Sequence, residues 1–560
     1  MPPSSRGIGC VSCVLQVKLK PKNLSEDEDQ LDTTQSCSGF VIDAKNGFIL
    51  TSGGLFSQLL SAADIQLPLT EHQTPEEGDI QVFWEQVMPH SATPKLRSCG
   101  GRLLGVWSCY NLAESLRNIF KGSDGWSFQG DLQDGEESDT SGSEGSRLGV
   151  SKTKGESHYD DITWLSSFAL VKADEVMCGE SSRFEFLATA ELYPGSPVAV
   201  FGTPFGSLCP SALVNSYTGG VVTNVTGKRN TVILTDARCL PGTEGAAVFS
   251  EPQQNRKPQV IGLVVAPMCF KTNQWVGLSV ACSISEILQS MYAQLHYTKD
   301  YLNEIRFQEG SAGHTLECHN FLDSVRLVKV GSSWGSGVIV SSKHKLLLTC
   351  RHVVRDAITN NRSVSVRVDR KNNSWCRAKV IFATSLESMI DFAVIQLTNH
   401  YDHLGPLIEI PIAANTYEGE PLFAVGFPLF GPETCLGASV TSGHVSKVIR
   451  YKGQAVMLQT SCGVHPGSSG GALVSQTTGK LVGIMANNCR DDTNKVTIPH
   501  LNFSIPASIF LKPLRRYLHT NDVQYLKVMN IHDKAVESLW KLQNTPTRGH
   551  KPPTKVICKL

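Results

Sequence analysis

Gly467-Ser468-Ser469-Gly470-Gly471-Ala472-Leu473-Val474 decides how this chain is read, because glycines frame a serine directly before an apolar run. A serine hydroxyl is a poor nucleophile unless a base takes its proton and donors receive the developing oxyanion. Glycines around it let the backbone turn tightly and aim its own N–H groups at one point. The pattern nominates Ser469 as nucleophile, with the Gly467 and Ser469 amides as oxyanion hole. Taken alone, a glycine–serine cluster is also an ordinary turn. A base stands upstream in Leu346-Leu347-Leu348-Thr349-Cys350-Arg351-His352-Val353-Val354, where His352 follows an apolar run and would sit at a strand end. Between the two, Met389-Ile390-Asp391-Phe392-Ala393-Val394-Ile395 sets Asp391 at the head of an apolar strand. A carboxylate there is costly unless hydrogen-bonded, and orienting a histidine would supply that bond. Each also has a plainer reading, His352 as a core or surface histidine and Asp391 as a strand-start cap. Together, in the order His, Asp, Ser, they are far more specific.

Outward from these motifs the chain consists of short apolar runs separated by Gly, Pro, Asn and Ser. Examples are Val338–Val340, Leu346–Thr349, Ala393–Leu397, Leu422–Val425 and Leu481–Met485. Many short strands at close spacing predict an all-β fold of barrels or sandwiches. Helical periodicity is clear near Ile284–Phe307, opened by a Ser283…Glu286 capping box, and near Ile509–Leu518. With 560 residues, 41% hydrophobic and 18% charged, the chain has material for several globular cores. Lysine plus arginine and aspartate plus glutamate both number 51, which gives no support to a nucleic-acid or polybasic membrane surface. No apolar run reaches the roughly 18 residues of a membrane span. Cys10–Leu19 alternates and reads as a strand, not a signal peptide. The 17 cysteines are scattered, which argues against a disulfide framework and for a reducing compartment. Cys10 and Cys13 form a lone C-x-x-C without further ligands, so no metal site is expected. No phosphate-binding glycine loop and no cofactor motif is present.

The order of the three residues is that of chymotrypsin. Gly335-Ser336-Gly337-Val338-Ile339-Val340, Asp391-Phe392-Ala393-Val394, Val425-Gly426-Phe427-Pro428 and Asn502-Phe503-Ser504-Ile505-Pro506 resemble the HtrA branch of trypsin-like serine proteases over roughly residues 321–515. The resemblance implies two six-stranded barrels with a catalytic triad of His352, Asp391 and Ser469 in the cleft. It places Gly463 where trypsin-like enzymes carry the specificity-pocket aspartate, so no preference for basic residues is expected. No PDZ-like module is expected after it.

The first half repeats the pattern. Ser38-Gly39-Phe40-Val41-Ile42…Thr51-Ser52-Gly53-Gly54 aligns with Ser336-Gly337-Val338…Thr349-Cys350-Arg351-His352. Ser167-Phe168-Ala169 aligns with Asp391-Phe392-Ala393, and Pro241-Gly242-Thr243-Glu244-Gly245 with Pro466-Gly467-Ser468-Ser469-Gly470. The three triad positions become Gly54, Ser167 and Glu244. Asp391 to Ser469 spans 78 residues and Ser167 to Glu244 spans 77, while Gly54 to Ser167 exceeds the His352–Asp391 interval by 74. The chain is therefore read as a degenerate trypsin-like double β-barrel (1–308), an active one (309–525) and a tail (526–560). The extra length is assigned to an insertion at about 57–160, with a disordered acidic loop at about 129–162.

The chain ends Cys558-Lys559-Leu560, a small–basic–leucine tripeptide of the peroxisomal address type. Together with the double protease pattern, this is similar to the family of peroxisomal leader-peptide processing proteases. That resemblance implies a serine endopeptidase of the peroxisomal matrix that removes targeting leaders and cuts β-oxidation enzymes. Its implied partners are matrix substrates and an import receptor, and self-association stays open. Self-cleavage is also implied; Cys109, in Leu103-Leu104-Gly105-Val106-Trp107-Ser108-Cys109-Tyr110, is the first candidate and Cys99 the second. The rival readings are a non-catalytic protease-fold scaffold or chaperone and a cytosolic quality-control protease.

Overall fold

The computed structural model describes residues 12–19, 34–62, 67–70, 78–86, 94–121, 125–128, 162–175, 177, 185–187, 192–206, 208–250, 259–272, 274–296, 307–308, 320–369, 373–398, 407–491, 496–542 and 557–559. The chain divides into two units, Met1–Ser311 and Ala312–Leu560. In the first, Ser12–Leu19, Thr34–Asp43, Phe48–Ser52, Gly78–Gln86, Lys95–Ser108 and Ser167–Ala173 close into one antiparallel barrel. Pro197–Gly202, Ser216–Thr226, Val232–Thr235, Ala247–Ser250, Gln259–Ala266 and Ser279–Ser283 close into a second. The second unit begins with a barrel of Val325–Val330, Ser333–Ser341, Leu346–Thr349, Val364–Asp369, Ser374–Ala383 and Ala393–Leu397. Its other barrel holds Pro421–Gly426, Ser439–Tyr451, Gln454–Thr460, Ala472–Ser475, Leu481–Asp491 and Val496–Pro506. All four barrels pair their strands in the same order, first, second, third, sixth, fifth, fourth. The predicted all-β double-barrel fold and its repetition are both borne out.

Each barrel closes because its central strands bury both faces. Phe48–Ser52 and Leu346–Thr349 are buried at every position, as a strand inside a closed sheet requires. The first core gathers Leu15, Val41, Ile49, Val82 and Val171 from strands far apart in sequence. Side chains of this kind contribute about 1.5–3 kcal/mol each on burial.

Three expectations need correction. Gly78–Gln86 and Lys95–Ser108 are barrel strands, so 57–160 is not one insertion. Most of the extra length lies after Ser108, where the first unit adds the helix Tyr110–Ile119 and the strand Trp126–Phe128; 129–161 lies outside the described residues. The tail does not begin at 526. Val523–Met529 and Lys534–Trp540 are helical and bury Leu526, Met529, Val536 and Trp540, apolar side chains that need a core. The helix after Ser283 covers Ile284–Gln294 and lacks the capping box: Ser283 makes no side-chain cap bond. Glu286 instead pairs with Arg229 at 3.0 Å and accepts from Asn111 Nδ2 at 2.8 Å.

The described cysteines are free thiols. Among the described residues no helix is long and apolar enough to cross a membrane.

Candidate active site

In the second unit, the strand Leu346–Thr349 ends in a short 3-10 turn, His352–Val354, which carries His352 out of the barrel wall. Thr349 pairs with Ala393, so Asp391 arrives beside that turn. Asp391 Oδ2 bonds His352 Nδ1, and Oδ1 accepts the His352 backbone N–H at 3.0 Å. The Asp391 side chain is fully buried and that of His352 about one-third exposed. One carboxylate thus fixes both the ring and the backbone of His352, leaving Nε2 directed away from it.

Arg351, which motif reading passed over, completes the frame. Its Nε lies 3.7 Å from Asp391 Oδ1, and its Nη1 donates to the carbonyls of Ser385 and Ser388. The same loop is held from behind by the C-terminal segment: the Ser385 N–H donates to Asn530 Oδ1 at 2.7 Å, and Phe392 stacks on Phe510 with centroids 5.4 Å apart. Of these two contacts, Asn530 comes from the segment assigned to the tail, which therefore helps to brace the Asp391 loop.

Ser469 follows the turn His465–Ser468. Pro466 O accepts from Leu429 N–H at 2.9 Å, which fixes the 466–467 peptide plane and sends the Gly467 N–H to the opposite side. Gly467 has φ +95° and a Cβ there would lie 2.3 Å from Phe427 O, so only glycine fits without strain. Ser336 Oγ donates to Gly467 O at 2.8 Å and accepts from Phe427 N–H at 2.9 Å, tying the loop to both barrels. Ser469 Oγ donates to Ala486 O at 3.4 Å. The hydrogen bond between such a hydroxyl and its base commonly tightens only when substrate binds.

Gly463 lies under this loop, with its carbonyl accepting from Thr441 Oγ1 at 2.7 Å. His500 Cε1 would stand 3.5 Å from a Cβ placed on Gly463, and Asn488 Nδ2 donates to Val464 O at 2.7 Å. The surroundings of Gly463 are thus polar and carry no carboxylate among these neighbours. Asn488, His500 and Thr441 come from three strands, and no local motif announces them.

Cys350, His352 and Asp391 place one donor atom each within 4.8 Å of one another, the arrangement among the described residues best able to hold a metal. The donors do not suit one. Burial, reinforced by the Asp391 charge, holds the Cys350 thiol well above its ordinary range, and His352 Nδ1 is already engaged by Asp391.

The first unit reproduces the scaffold without counterparts of the His352, Asp391 and Ser469 side chains. Ser38 Oγ donates to Gly242 O at 2.7 Å and accepts from Thr203 N–H at 2.8 Å, as Ser336 does in the second unit. Pro241 O accepts from Phe205 N–H at 2.6 Å, and Gly242 has φ +89°. Gly54 takes the His352 place. Ser167 takes that of Asp391 and donates to Trp164 O at 2.8 Å. Glu244 stands where Ser469 does, and its Oε2 accepts the Gly242 N–H at 2.8 Å. Desolvation raises the Glu244 pKa, opposed by the bonds from its own and the Gly242 amide.

The self-cleavage candidates lie in folded backbone. Cys99 is inside the strand Lys95–Ser108. Cys109 is buried at the N-cap of Tyr110–Ile119, and its N–H donates to Ser166 O at 2.8 Å. A hydrogen bond with Cys282 lowers the Cys109 pKa, against the effect of burial. Cutting at either cysteine requires the segment to leave its strand or cap first. Of the terminal tripeptide, Cys558 and Lys559 belong to a short strand, Ile557–Lys559, antiparallel to Asn488–Arg490; Leu560 lies outside the described residues.

Comparison with known proteins agrees with this architecture. The trypsin-like peptidase domain model matches residues 335–484. The peroxisomal leader peptide-processing protease of Mus musculus is 32% identical over 558 residues, 91% of this chain and 92% of that protein. The one of Homo sapiens is 32% identical over 561 residues, with the same shares. A probable serine protease do-like of Buchnera aphidicola is 28% identical over 270 residues, 47% of this chain and 52% of that protein. With similarity running through both units, this chain belongs to the peroxisomal leader peptide-processing protease family of trypsin-like serine peptidases.

Proposed function

We propose that the second unit is a serine endopeptidase acting through Ser469, His352 and Asp391. The observation that carries this reading is the buried Asp391 carboxylate holding both the ring and the backbone of His352. His352 Nε2 takes the Ser469 proton as Oγ attacks the scissile carbonyl, and Asp391 stabilises the imidazolium. The Gly467 and Ser469 amides receive the oxyanion, and the acyl bond to Ser469 Oγ is then released to water with His352 again as base. His352 returns the proton to the leaving amine in the first step. The uncharged surroundings of Gly463 favour a small neutral side chain before the cut, such as cysteine.

The substrates are peroxisomal matrix proteins carrying leaders, in keeping with the names of the two full-length relatives. The matrix is the proposed site of action, reached through a receptor that reads Cys558-Lys559-Leu560. Self-cleavage at Cys109, and then at Cys99, belongs to this reading as an event following local opening. The test is incubation of a leader-bearing matrix protein with wild type and with Ser469→Ala, followed by intact mass measurement. Loss of the leader with wild type alone supports the proposal; equal cleavage by both, or none by either, overturns it.

A further inference from the structure

The first unit contains a cavity of about 500 Å³ lined by two of the three substituted positions, Gly54 and Glu244. Gly54, Trp164, Glu244 and Pro267 are among the residues lining it. Its size is that of a binding site rather than a packing defect. Glu244 is the one charged side chain among the described residues that line it. We propose that this cavity binds a lysine or arginine side chain presented by a peptide segment of a client protein, with the Glu244 carboxylate as its counter-charge.

Three observations define the ligand. Gly242 N–H already fixes Glu244 Oε2, so the carboxylate is held in place before any ligand arrives. A carboxylate has about four acceptor sites, leaving capacity for further donors. Burial without a cationic neighbour penalises its charge, and an incoming ammonium or guanidinium offsets that penalty. Leu55, Phe128 and Trp164 add apolar wall suited to the alkyl stem of such a side chain.

The strand edge argues for recognition of a side chain over extended backbone pairing. Gly245 N–H bonds Val264 O as Gly470 N–H bonds Met485 O, which aligns Pro267 with Asn488. Proline has no N–H, so this edge cannot offer an extended peptide a backbone donor at that position.

The test uses the full chain carrying Ser469→Ala, which prevents cleavage and makes the result independent of the proposed reaction. Fluorescein-labelled dodecapeptides differ only at one central residue: arginine, lysine, citrulline or norleucine. Anisotropy is expected to show the arginine and lysine peptides binding at least tenfold tighter than the neutral ones, and Glu244→Gln removing that preference. Gly54→Leu supplies the second variant: a Cβ there meets nothing nearer than Ser52 Oγ at 3.4 Å, so leucine enters the cavity without a backbone clash. It is expected to block binding with an unchanged melting midpoint. Equal binding of the citrulline peptide, undiminished binding by Gly54→Leu, or no binding of any peptide overturns the proposal.

Discussion

The loops Pro241–Gly245 and Pro466–Gly470 share one backbone and differ in what that backbone presents. In both, proline O takes an N–H from the neighbouring loop, a glycine adopts positive φ, and a buried serine bridges that glycine's carbonyl to another strand connection. One loop presents Ser469, in the unit that also holds the His352–Asp391 pair; the other presents Glu244, whose carboxylate occupies the glycine N–H. The scaffold persists in the unit that lacks these side chains, where it also joins two barrels. In the proposed reaction, catalysis is a matter of three side chains placed on it.

The sharpest break of this comparison is Ser469→Ala, expected to lower kcat on the order of 10⁶-fold in a peptide-cleavage assay, with an unchanged circular dichroism spectrum. Asp391→Asn should leave the fold intact and cost about 10⁴-fold, because the His352 ring loses its tautomer and orientation. The bridging serines separate scaffold from chemistry. Ser336→Ala and Ser38→Ala should each destabilise their own unit by about 1–3 kcal/mol in chemical unfolding. Cleavage should fall roughly 100-fold in Ser336→Ala through a displaced Gly467, and stay unchanged in Ser38→Ala.

Smaller effects follow at the edges. The strand Ile557–Lys559 pairs with Asn488–Arg490, opposite Val496–Pro506 and two residues from the Ala486 carbonyl that Ser469 touches. It runs along the edge an extended substrate would use, so deleting 557–560 should raise kcat/KM roughly two- to tenfold. Glu244 gives the smallest effect, read as stability against pH. Its folded pKa lies above the ordinary 4.5, so the folded unit holds its proton more tightly and loses stability as pH rises from 4.5 through the folded value. Glu244→Gln should raise the melting midpoint of the first unit at pH 7, with the gain vanishing below 4.5.

The candidates His352, Asp391 and Ser469 and their counterparts Gly54, Ser167 and Glu244 can be picked out in the sequence because each sits in a short contiguous motif tied to a buried strand. The barrel strands Gly78–Gln86 and Lys95–Ser108 were not, since Lys95–Ser98 faces solvent and breaks the apolar pattern. Arg351 escaped because its partners Ser385 and Ser388 lie more than thirty residues away. The polar neighbours of Gly463 escaped for a similar reason: barrel closure brings Thr441, Asn488 and His500 together, and no local spacing encodes that. The supposed tail hid its role because Leu526, Met529 and Trp540 are spaced over 3-10 and α turns too short to show a period.

The most direct test of one scaffold with one working site is reaction of the intact wild-type chain with an active-site fluorophosphonate, read by intact mass and peptide mapping. The account predicts a single adduct on Ser469, absent from Ser469→Ala and retained in Glu244→Gln. No adduct, or an adduct that survives Ser469→Ala, would contradict it.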